Sequence, residues 1–378
     1  MRTNLVPMTV GPARVGWLGL FLLVVGSGLS VLVAGCQSSA ERSEASEYTA
    51  PRQSAAETPS SGYQPRTRHY YIAAEDVKWD YAPDGNPMKH GGGEGDAAHH
   101  GLGAWGEQTA YDKTRYVAYT DARFTQKKPH PEHLGLIGPI IRGVVGDTIN
   151  IHFKNKASRP YSIHPIGTDY DKANEGAGYA GINPPGSAVE PGQTHTYTLR
   201  ITPEAGPGPA DPSSILRLYR SHVQPVEDVA RGLVGPIIIT RAEAADAEGR
   251  PRGVDREFVS MFLVHDENPE GQEQEGHLMH AINGYIFGNQ PGLVMDQGER
   301  VRWYLFGMGS EVDMHTPHWH GNGVMHENRR KEVLMLLPSY SLVADMVPDN
   351  PGTWMFKCNV GDHIHAGMMS LYTVRPTK

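Results

Sequence analysis

Near the C-terminus, Cys358, His363 and Met368 follow one another as Cys-x4-His-x4-Met. A thiol, an imidazole and a thioether on one loop of that length can fold around one ion, provided a second imidazole comes from a neighbouring strand. The segment Met314-His315-Thr316-Pro317-His318-Trp319-His320-Gly321 offers it. Two histidines, a thiolate and a weak thioether are the ligand set of a blue-copper electron-transfer site. Because side chains alternate along a strand, His318 and His320 share one face and His315 takes the other. Lys357 and Asn359 likewise oppose Cys358. His315 and Cys358 are expected to point into their own domain, and His318, His320, Lys357 and Asn359 out of it.

A fold that lays such strands side by side agrees with the rest of the chain. Gly (44) and Pro (29) are abundant among 378 residues, and helical periodicity is scarce, which favours an all-β chain with many turns. Hydrophobic content of 39% suffices for a core, and about 150 residues per domain gives two domains. In Gly146 to Phe153, Ile149, Ile151 and Phe153 fall on one face with period two. Gly135–Ile141 and Gly232–Ile238 are near copies and read as two similar strands of the first domain. Ala242 to Gly253 reads as a linker. A second series of strands begins at Glu257 and ends with Ser370–Val374. The net charge of −8 is spread without runs, which argues against a nucleic-acid surface.

The N-terminus is expected to lie outside the fold. Arg2 and Arg14 precede an apolar run, Val15 to Val33, that ends in Val33-Ala34-Gly35-Cys36. That pattern is a secretory signal with a lipobox-like end, so residues 1–36 read as a lipoprotein signal with Cys36 lipidated. An uncleaved membrane anchor is the alternative. Both place the globular part outside the cytoplasm, at the periplasmic or outer-membrane face. Residues 37–67, rich in Ser, Ala, Glu and Pro, read as a flexible tether. Residues 68–245 and 254–378 read as two sandwiches. With Cys36 lipidated, no intramolecular disulfide can form, and Cys358 is a lone exported thiol that a metal would explain. A Gly/His-rich stretch from Lys89 to Gly101 reads as a loop.

Several segments carry a family resemblance. Ala281-Ile-Asn-Gly-Tyr-Ile-Phe-Gly-Asn289, Trp303-Tyr-Leu-Phe-Gly-Met-Gly309 and Asp362-His-Ile-His-Ala-Gly-Met368 resemble ceruloplasmin and hephaestin, the multicopper ferroxidases. Tyr70–Ile72, Trp79-Asp-Tyr81, Phe153-Lys-Asn155 and Ala157-Ser-Arg-Pro160 resemble their odd-numbered domains. The resemblance implies two tandem cupredoxin-like (Greek-key) β-sandwiches, plastocyanin-like in plan, and a homotrimer that imitates the family's six-domain ring. It also implies a trinuclear copper cluster built from four His-x-His pairs, from which this chain departs. The pairs read His164-Pro165-Ile166, Arg220-Ser221-His222, His318-Trp319-His320 and Lys357-Cys358-Asn359. Four of the eight histidines remain. Ile166 offers no ligand, and Arg220 and Lys357 bring positive charge.

These readings lead to an exported copper oxidoreductase with one type 1 copper on His315, Cys358, His363 and Met368. His164, His222, His318 and His320 either hold one further copper at a subunit interface or form a metal-free polar contact. Arg220 and Lys357 suggest an anionic substrate. Asp362 matches an acidic residue of the family's ferroxidase site, and Asp266, Glu267 and Glu270 are candidates to extend it. The electron source would be a redox partner protein or a small reductant, and the membrane is met through the lipid anchor. Competing expectations are a working ferroxidase or laccase-like oxidase, a pure electron carrier, and a non-enzymatic binding module like the A domains of clotting cofactors.

Overall fold

A computed structural model describes residues 63–86, 88, 108–268, 277–311 and 313–377. Cys36 and the histidines of the Lys89–Gly101 stretch therefore lie outside the described residues, as does Glu270. In the first half, strands β1 (Thr67–Asp80), β2 (Ala110–Tyr119), β3 (Ile141–Val144), β4 (Thr148–Asn155), β5 (His164–Ile166), β6 (Thr194–Arg200), β7 (Ser214–Arg220) and β8 (Val234–Thr240) form two sheets, ordered β2-β1-β4-β6 and β3-β8-β7-β5. A short helix, α1 (Pro225–Arg231), joins β7 to β8. The alternation read in the sequence appears as strict alternation of burial along β4, with Ile149, Ile151 and Phe153 inside.

The second half repeats the plan. Strands β9 (Arg256–Asp266), β10 (Leu278–Ile282), β11 (Val294–Asp296), β12 (Val301–Gly307), β13 (Pro317–Trp319), β14 (Val324–His326), β15 (Arg329–Lys331), β16 (Ser341–Met346), β17 (Gly352–Cys358) and β18 (Met369–Arg375) form sheets ordered β10-β9-β12-β16-β14-β15 and β11-β18-β17-β13. Helix α2 (Gly361–His365) joins β17 to β18 as α1 joins β7 to β8. The parallel pair β1·β4 corresponds to β9·β12, and β3·β8 to β11·β18. One ion pair recurs at the matching place: Arg68 to Asp147 at 2.5 Å, and Arg256 to Glu299 at 2.7 Å.

Each half has its own core, around Phe153 and Tyr219 in the first and Trp303, Trp319 and Phe356 in the second. A third cluster joins them: Leu216, Leu218 and Ile238 of the first half pack on Val259, Met261 and Phe306 of the second. Each such fully buried side chain contributes about 1.5–3 kcal/mol, so this contact holds the halves firmly.

Two expectations are corrected. Of the near copies, only Gly232–Ile238 leads directly into a strand. Gly135–Ile140 is a loop that reaches strand geometry only at Ile141, because Leu134 and Ile137 turn aside to fill the junction between the halves. Residues 63–66, expected within the tether, are instead held in place. The Tyr63 hydroxyl donates to Asp147 at 2.7 Å and the Arg66 backbone N–H does so at 3.0 Å, which fixes the chain before β1.

Candidate metal centre

Strand β17 delivers Cys358 to the interior. Phe356 and Cys358 are fully buried, while Lys357 and Asn359 lie on the outer side. Helix α2 then turns back and buries His363 beside the thiol. His315 arrives from a segment bridged to Leu336, its N–H donating to Leu336 at 2.8 Å. His315 Nδ1 lies 3.2 Å from His363 Nδ1, and Cys358 Sγ 3.7 Å from His363 Nδ1. The donor atoms of these three residues all lie within 4.8 Å of one another, the one such three-residue cluster among the described residues. Met368 is fully buried in the same core, and its N–H donates to His363 O at 2.9 Å. Gly367 makes this return possible: it has φ +98°, and a Cβ there would meet the Phe287 ring at 2.8 Å.

The surroundings prepare the thiol as an anion. Burial pushes the Cys358 thiol up, but His315, His363 and the N–H groups of Thr316 and Val360 together bring it down to about 6. Those N–H groups lie 3.3 and 3.5 Å from the sulfur. Asp313, itself buried, stands 3.3 Å from His315 Nε2 and leaves Nδ1 facing the cluster. It is locked by accepting the N–H groups of Val264 and Ser310. Burial lowers the His315 pKa, but Asp313 and Cys358 raise it to a net value above the usual one.

Two members of this site were not singled out in the sequence. Asp313 stands two residues before His315, a strand spacing that suggests a shared side. His280 sits among apolar neighbours on β10, its ring 5.1 Å from that of His363. Burial, then the nearby His363 charge, push its pKa down to about 4. The clue was a histidine at an inward position of a strand noticed only for its family resemblance.

The outward residues form two separate groups. In the first half, His164 and His222 have ring centroids 5.1 Å apart, His164 Nδ1 lies 2.6 Å from Glu175 O, and Arg220 donates to Pro225 O at 3.1 Å. In the second, His318 and His320 are 4.5 Å apart, His318 lies 3.2 Å from Asn359 Oδ1, and Lys357 donates to that same oxygen. Their registers match, with His164 opposite Arg220 and His318 opposite Lys357. Among the described residues, His222 Nδ1, His320 Nε2 and Arg220 Nε are buried without a hydrogen-bond partner. Among the described residues, no hydrogen bond, ion pair or ring contact joins the two groups, and none joins Arg220, Lys357 and Asp362 to one another. Glu267 does not extend an acidic site around Asp362. It turns inward to pair with Lys113 and accepts the Tyr81 hydroxyl at 2.5 Å.

Two sandwiches of this plan, one enclosing a Cys/His/His cluster, define a cupredoxin-like protein. Multicopper oxidase family models match residues 134–244 and 260–378. Hephaestin of Mus musculus is 38% identical over 353 residues, 84% of this chain and 29% of that protein. Ceruloplasmin of Homo sapiens is 38% identical over 344 residues, 81% of this chain and 32% of its own length. The chain thus spans about a third or less of the curated relatives it matches. Among solved structures, one described as a multicopper oxidase aligns with TM-score 0.56 at 20% identity, covering 82% of this chain and 89% of that one. The blue copper oxidase from Nitrosomonas europaea gives 0.54 at 19% identity, covering 83% and 86%. The chain belongs to the multicopper oxidase family, whose cofactor is copper. The buried soft thiolate and the two imidazoles, with Met368 buried in the same core, fit that metal.

Proposed function

We propose that the chain is an exported copper oxidoreductase that moves single electrons through a type 1 site on His315, Cys358, His363 and Met368. The observation that carries this reading is the buried cluster of His315, Cys358 and His363, with the thiol shifted to about 6. A copper ion held there would supply reversible one-electron transfer. The chain's own part is to hold the donors close together and dry, with Asp313 fixing the His315 ring. Electrons from a small reductant or a redox protein would enter on the side where His280 and Asp362 approach His363.

The outer groups support a reduced form of the family's chemistry. Ile166, Arg220, Lys357 and Asn359 remove four donors and add two cations. A unit charge about 4 Å from another costs about 4 kcal/mol at an effective dielectric near 20. On this reading four-electron reduction of oxygen is lost. His164 and His222 of one copy would meet His318 and His320 of the next in a homotrimer, with room for one further copper. The exposed Val333, Met335 and Leu337, on the segment bridged to His318, suit such a contact. Anchoring through a lipid on Cys36 completes the proposal. Among the described residues, no helix is long and apolar enough to cross a membrane.

Metal analysis with oxygen-uptake kinetics tests the proposal. One or two coppers per chain and negligible uptake are expected, and changing Ile166, Arg220, Lys357 and Asn359 together to His should raise both. Four coppers per chain with a coupled pair and rapid uptake would refute it.

A further inference from the structure

The first half has a cavity of about 460 Å³ lined by Asp76, Lys78, Asp112, Lys113, Arg159 and Arg231, with Tyr161 and Thr114 at its wall. Its place in the fold gives it meaning. Tyr161 matches His315: each stands three residues before the paired histidine of its half, and each is bridged to a distant segment, Val189 or Leu336. Arg159 therefore matches Asp313. Counting from the matched ion pairs, Lys78 matches Asp266. Thr114 lies opposite Asp76 on β1·β2 as His280 lies opposite Val264 on β9·β10. By this correspondence the cavity lies where the second half has the cluster of His315, Cys358 and His363 with Asp313 beside it. Where the second half places the carboxylates Asp313 and Asp266, the first places cations.

Most charges here are already committed. Lys78 lies 3.4 Å from Asp112, and Lys113 pairs with Glu267. Asp76 accepts the Thr114 hydroxyl and the Ser158 N–H, each at 2.9 Å. Arg159 and Arg231 remain, and among the described residues neither makes an ion pair or a side-chain hydrogen bond. Two guanidiniums facing one cavity present forked N–H donors that match clustered anionic oxygens. Arg231 is close enough to Lys113 and Tyr161 for its charge to act on both.

We infer that this cavity binds a small oxyanion, a phosphate or a compact polycarboxylate, between Arg159 and Arg231. Titration calorimetry of the full copper-loaded chain at low ionic strength tests this, with inorganic phosphate and citrate as separate probes. At least one should bind at one site per chain, and weaken as salt is added. The Arg159→Ala, Arg231→Ala variant should bind at least about tenfold more weakly with its visible copper band unchanged. The Arg159→Lys, Arg231→Lys variant keeps the charge and should retain more binding than the alanine pair. No binding of either probe, binding unaffected by the alanine pair, or equal loss in both variants would overturn the inference.

Discussion

The two halves share one strand plan and differ at the spot where β7 or β17 ends. In the second half Cys358 Sγ receives the Thr316 N–H at 3.3 Å; in the first, Ser221 Oγ receives the Ser162 N–H at 3.1 Å. The next contact also matches. The Cys358 N–H donates to Met368 O and the Ser221 N–H to Leu233 O, both at 3.0 Å. Around the same backbone stand Cys, His, His and Met in one half and Ser, Tyr, Asp and Leu in the other. Ser221 donates to Asp228 at 2.6 Å, and Asp228 also accepts the Val223 and Gln224 N–H groups. One half closes this corner with hydrogen bonds, and the other arrays donors that would hold an ion. The sandwich tolerates both, so the chemistry lies in four side chains rather than in the fold.

The comparison breaks most readily at Asp228. Asp228→Ala orphans three donors at a site 3% exposed, and should cost about 2–4 kcal/mol in chemical denaturation while leaving copper uptake unchanged. A loss below about 0.5 kcal/mol would show that this corner needs no such closure. Next comes Asp313→Asn, which should weaken copper binding about 10- to 100-fold by competition with a chelator. Unchanged affinity would mean Asp313 serves only the backbone of Val264 and Ser310.

The smallest effect is a slope. Burial, then Arg115, push the His130 pKa down to about 4, and burial, then His130, do the same to His133. An unfolded histidine takes its proton near pH 6.5, so between about 6.5 and 4 the unfolded chain binds more protons. These two histidines should therefore make apoprotein stability fall as pH drops through that window. His133→Gln should make the fall shallower; an identical slope would remove His133 from the account.

Much of this was legible in the sequence where local rules act. Period two fixed the inward set on β4, and Cys-x4-His-x4-Met already implied a loop closing on one point. What escaped depended on distant partners. Gly135–Ile140 looks like a strand until the junction claims Leu134 and Ile137. Glu267 looks like a surface acid until Lys113 and Tyr81, more than 150 residues away, take it inward. His280 joins the site only through the β9·β10 pairing.

On the proposed reading, one half alone holds a thiolate-ligated copper. Titrating copper into the wild type and into Cys358→Ser, with absorption and electron paramagnetic resonance read together, tests it most directly. An intense visible band should saturate at the first equivalent in the wild type and never develop in Cys358→Ser. A fully loaded wild type without the band, or a Cys358→Ser protein that shows it, would mean that Cys358 does not ligate copper.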